Sequence, residues 1–91
     1  MAVTGAGHRI VIEGAAARVR LGYYTAATLG AWRVEGDFFT ARVETADTFR
    51  LTQIPLVLEI PNADGIPTRR ALDGVSVSQG QLSARLVSLR R

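Results

Sequence analysis

Apolar and polar residues alternate with a period of two along most of this chain, in short runs divided by turn sequences rich in Gly, Asp and Pro. The clearest run is residues 31–44, Ala-Trp-Arg-Val-Glu-Gly-Asp-Phe-Phe-Thr-Ala-Arg-Val-Glu. It predicts a β-hairpin folded about Gly36-Asp37, because a two-residue loop opening with Gly suits a type II′ turn, whose first central residue needs φ > 0. That register sets Val34 against Phe39, Trp32 against Ala41 and Gly30 against Val43 on one face. Arg33 opposite Thr40 and Ala31 opposite Arg42 fall on the other. A slip of one residue would turn every apolar side chain outward, so turn and pattern agree on one pairing. The hairpin carries the only Trp and two of the three Phe. Burying one Trp removes about 150–250 Å² from water, so this hairpin is the expected heart of the core.

The same pattern predicts further strands on either side. Residues 1–7 read as a lead-in. Ile10 and Ile12 then share one face and Ala17, Val19 and Leu21 another, which suggests a first hairpin folded at Gly14-Ala15 with Arg9 opposite Arg20. Residues 22–30 hold adjacent Tyr23 and Tyr24, which cannot both face the core of a regular strand; the segment reads as strand or irregular connection, with one Tyr exposed or at a bulge. A loop around Ala46-Asp47-Thr48 would set Val43 opposite Leu51 and Glu44 opposite Arg50. Leu56, Leu58 and Ile60 form a short strand between Pro55 and Pro61, expected at a sheet edge or beside a bend because Pro donates nothing to a ladder. Asn62-Ala63-Asp64-Gly65 and Asp73-Gly74 read as turns. Reversal at Gln79-Gly80 pairs Val77 with Leu82, Val75 with Ala84 and Ser76 with Ser83. Residues 81–90 also fit a helix, through the i, i+4, i+7 spacing of Leu82, Leu86 and Leu89; the turn chemistry favours strand.

Short alternating segments with turns near 14, 36, 47, 63, 73 and 79 predict one all-β domain. It is a small, mostly antiparallel barrel or sandwich of six to eight short strands built from hairpins.

Composition narrows function mainly by exclusion. A chain of 91 residues makes one domain with a thin stability margin, which a partner or second copy would help. No run of about 18 apolar residues exists to span a membrane, and no basic start precedes an apolar core as in a secretory signal. With no Cys there is no disulfide and no thiolate metal site, and the default compartment is cytoplasmic. All 11 basic residues are Arg and the net charge is +3. Arg suits phosphate or carboxylate recognition, but an Ala-, Arg- and Gly-rich composition is the better account of the bias.

No catalytic set emerges. The single His is His8, no nucleophile elbow occurs, and the serines all lie at or after Ser76. Asp37, Asp47, Asp64 and Asp73 sit at predicted turns, where Asp bonds nearby amides. Glu13, Glu35, Glu44 and Glu59 fall on outward positions or turn edges. Asn62-x-Asp64-Gly65 is only a fragment of a calcium loop. No enzyme activity, cofactor or metal is expected.

Two surfaces are left as candidates. Arg9, Arg18 and Arg20, with no acid between them and Tyr23 or Tyr24 at their end, form a possible nucleic-acid or anion contact. The apolar residues Val11, Phe38, Ile54, Val57, Val87 and Leu89 face outward and form a possible protein interface. The favoured function is a non-catalytic interaction or assembly module, self-associating or part of a larger protein complex. The alternative is a small nucleic-acid-binding barrel acting through the outward arginines.

Overall fold

In the computed structural model, which describes residues 11–87, the alternating runs become seven strands and one 3-10 turn. The strands are β1 (Val11–Gly14), β2 (Ala17–Leu21), β3 (Tyr24–Glu35), β4 (Phe38–Ala46), β5 (Leu56–Ile60), β6 (Thr68–Ser78) and β7 (Gln81–Val87), and the 3-10 turn Arg50–Thr52 lies between β4 and β5. All pairings are antiparallel: β2–β3, β3–β4, β4–β7, β7–β6, β6–β5 and β5–β2 close a six-stranded barrel, and β1 adds to β3 as an extra strand. The barrel is thus two three-stranded meanders joined along two seams. Of the two forms expected, barrel or sandwich, the chain forms the small antiparallel barrel.

The central hairpin keeps the register its turn requires. Val34 pairs with Phe39, Trp32 with Ala41 and Arg33 with Thr40, and Gly36 sits at φ 65. Beyond Trp32 a bulge intervenes, and Val43 pairs with Leu29 instead of Gly30. The extra residue bends the 12-residue β3 around the barrel and turns the larger Leu29 side chain into the core. Val19, Phe39, Leu58 and Leu82 are the largest fully buried side chains. Trp32 packs tilted against Phe39 with ring centroids 6.1 Å apart. Residues 81–87 are strand, with Val77 opposite Leu82 and Ser76 opposite Ser83; the remainder of 81–90 lies outside the described residues.

Several expectations are corrected. Gly14-Ala15 is not a hairpin turn: β1 and β2 both pair with β3 on one side and in one register, Gly14 facing Trp32 and Ala17 facing Leu29. The reversal lies at Gly22-Tyr23, where Leu21 pairs with Tyr24 and Gly22 has φ 59. Arg20 therefore faces Thr25 and Val57, and its predicted partner Arg9 lies outside the described residues. Asp73-Gly74 is a bulge within β6, because Asp73 pairs with Arg85 and Ser76 with Ser83, leaving Gly74 and Val75 opposite Ala84 alone. Leu51 and Arg50 join no strand. After Ala46 the chain crosses one end of the barrel, Asp47 accepts from the Arg50 amide at 3.1 Å, and Leu51 packs against the core. Finally, β5 is no edge, since it pairs with both β2 and β6; of the two places expected it takes the other, beside a bend at Gln53 and Ile54, and the two prolines fall just outside its ladder. Asn62-Ala63-Asp64-Gly65 turns as expected, with the Gly65 amide donating to the Asn62 carbonyl at 3.0 Å.

Candidate functional site: an open seam beside β1

The closed part of the barrel stops where β5 does. Pro61 has no N–H to continue the ladder, so β5 ends at Ile60 while the opposite side of the seam runs on upward as β1. Among the described residues β1 pairs only with β3, and its other edge, with every second N–H and C=O directed away from the sheet, meets no other described strand.

Between that edge and the β5–β6 hairpin lies a cavity of about 240 Å³ lined chiefly by Ile12, Trp32, Val34, Leu58, Ile60 and Leu86. Asn62, Thr68 and Arg70 complete its rim. Trp32 forms the wall on the β1 side. Its indole N–H donates to the Ala16 carbonyl at 2.9 Å, which holds the ring across Gly14; a Cβ at Gly14 would land on the indole itself. On the far side Asn62 donates to the Ile66 carbonyl at 2.7 Å and to Thr68 Oγ1 at 2.9 Å, and Asp64 accepts from the Ile66 amide at 2.9 Å. These bonds fix the hairpin tip that borders the cavity. The polar residues that resembled a calcium loop are thus used in shaping a turn.

The predicted anion contact is rearranged by the fold. Arg18 and Arg20 do share an outer face, but Glu59 lies in it, only 7% exposed. It bonds Arg18 at 3.1 Å and Arg69 at 3.0 Å. The expectation of no acid among these arginines fails because β5 packs beside β2. Arg20 donates to Thr25 Oγ1 and to the Tyr23 carbonyl, and a shallow groove runs past Arg20, Tyr23, Val57, Glu59 and Arg69. Tyr23 is 95% exposed, whereas Tyr24 lies under the Arg50 guanidinium at 4.3 Å. Both tyrosines, not one, are thus on the outside.

Of the predicted interface residues, Val11, Phe38, Ile54 and Val87 are exposed, Ile54 most so at 87%, and Val57 is half-buried. They do not form one patch: Val11 and Phe38 flank the open end of β3, while Ile54 lies on the crossing at the other end. Leu89 and Arg9 are outside the described residues. Pattern reading passed over Ile12, Ile60 and Arg70 as site residues. The signal was present for Arg70, which shares its parity with inward Leu72.

Fold and site together define a small closed β-barrel with one unzipped seam, and no broader class is needed to describe it. Comparison with protein-family models, curated proteins and solved structures finds no match to the chain. Among the described residues no group of three His, Cys, Asp or Glu is placed to hold a metal, and no helix is long and apolar enough to cross a membrane.

Proposed function

We propose that this protein is a non-catalytic interaction module that takes an extended segment of a partner protein along the free edge of β1. The observation that carries the reading is the placement of that edge beside an apolar cavity. An added strand gains main-chain hydrogen bonds from the edge and specificity from a side chain seated in the cavity. A cavity of about 150 Å³ already holds a benzene ring, so about 240 Å³ accommodates one large aliphatic or aromatic side chain. A second copy pairing β1 to β1 is the poorer occupant. Four edge residues on each side fall well short of the roughly 1,200–2,000 Å² that stable protein–protein interfaces bury.

Trp32, the only Trp, lies in the cavity wall and reports its occupancy. Titrating the full chain with the acetylated, amidated hexapeptide Thr-Thr-Leu-Thr-Glu-Thr is expected to give a saturable change in Trp32 emission. The change should disappear when the Leu is replaced by Ala, or when Pro replaces the Thr that follows it. No saturable change, or one indifferent to Pro, contradicts strand addition at this edge.

The groove beside Arg20, Tyr23 and Arg69 favours a second reading, contact with a polyanion. It is the weaker because Glu59 already takes Arg69, as well as the neighbouring Arg18. Salt-sensitive binding of a mixed oligonucleotide that is lost with Arg20→Glu would support it.

A further inference from the structure

We infer that the segment taken by this groove carries an acidic side chain two residues from its apolar anchor, and that Arg70 is the residue that reads it; the inference rests on the interaction-module reading above. Arg70 pairs with Leu58 across the β5–β6 ladder, between the Leu56–Leu72 and Ile60–Thr68 pairs. Leu56, Leu58 and Leu72 are buried, so this row of side chains faces the barrel interior and Arg70 faces it too. Arg69, next in sequence, points to the outer surface and binds Glu59. Arg70 is half-buried on the inner side of the sheet and lines the cavity.

Its isolation is what distinguishes it. Arg18, Arg33, Arg42, Arg50, Arg69 and Arg85 each pair with an acid, and Arg20 donates to Thr25 and Tyr23. Among the described residues Arg70 alone of the arginines has no polar partner. A guanidinium on an apolar inner face has lost hydration that a carboxylate can replace with two parallel hydrogen bonds. Among the described residues the cavity supplies no acid of its own: Asn62 and Thr68 are the other polar residues lining it, and Asn62 is engaged in the hairpin tip. The complementary charge therefore comes with the ligand. In an added strand, residues i and i+2 point to the same side about 7 Å apart. An apolar side chain in the cavity thus places the second residue on from it at the cavity rim, where Arg70 lies.

The test compares Thr-Thr-Leu-Thr-Glu-Thr with its Glu→Gln counterpart, both acetylated and amidated, by Trp32 emission on the full chain. The acidic peptide is expected to bind about tenfold more tightly. That preference should vanish in Arg70→Gln, return in part in Arg70→Lys, and shrink at high salt, with the circular dichroism of each variant unchanged. Equal binding of the two peptides by the unaltered chain overturns the role of Arg70 and leaves the interaction module standing. Binding of neither peptide overturns both. A peptide ending in Leu with a free carboxylate that binds more tightly than the Glu peptide, through Arg70, assigns the site to chain termini and overturns the acidic side chain.

Discussion

Gly14 and Trp32 show at the scale of single residues how the seam is made. The two face each other across β1 and β3, and the indole occupies the space a Cβ at position 14 would need. A glycine in a strand has no side chain of its own to pack, and here a cross-strand aromatic covers it. Gly14→Ala should therefore displace the ring and cost about 1–3 kcal/mol in urea unfolding, as overpacking does. Trp32→Ala removes the ring, its contact with Phe39 and its bond to Ala16, for a loss of about 3–5 kcal/mol. Trp32→Phe, which retains most of the apolar area and loses the N–H donor, should cost less than Trp32→Ala. Glu59 offers a second residue-scale test. Its carboxylate bridges two arginines across three strands, and Glu59→Gln should cost about 1–3 kcal/mol, because hydrogen bonds to charged groups are among the stronger ones. A near-neutral result there would mean that the arginines find other acceptors.

At the scale of elements, the turns decide which strands meet. Two-residue loops opening with Gly reverse the chain at Gly22 and Gly36, and Gln79-Gly80 does so with both residues at positive φ, 53 and 76. Gln tolerates that conformation poorly and Asn better, so Gln79→Asn should raise the melting temperature by a few degrees. The same logic explains what was legible in the sequence and what was not. The pairing of Val34 with Phe39 and of Ser76 with Ser83 followed from turn and alternation together. Gly14 carried the same local signature as Gly36, yet a glycine opposite Trp32 serves side-chain packing and not reversal. Local chemistry alone does not separate those two uses. Bulges were equally hidden, since Gly30-Ala31 and Gly74-Val75 obey alternation until a partner strand with one residue fewer is known. The outward arginines were legible as outward. Their partner Glu59 was not, because the seam between β2 and β5 joins residues some 40 positions apart along the chain, and nothing in either strand announces the other.

As a whole, the described residues form a barrel covered at one end and open at the other. Two meanders meet along the β2–β5 and β4–β7 seams. The crossing between β4 and β5, with Leu51 packed against the core, covers one end. At the far end β5 stops at Ile60, before Pro61, and among the described residues β1 has no strand on its second side, beside an apolar cavity. Closure removes most strand edges from a small β protein, and among the described residues β1 keeps one, where we propose that a partner segment adds. The measurement that tests this most directly is the amide spectrum of the isotopically labelled full chain during titration with Thr-Thr-Leu-Thr-Glu-Thr. The account predicts that shifts concentrate at Val11–Gly14, at the Trp32 indole N–H and around Ile60 and Thr68. Shifts confined to Arg18, Arg20 and Tyr23, or no shifts at any peptide concentration, would contradict it.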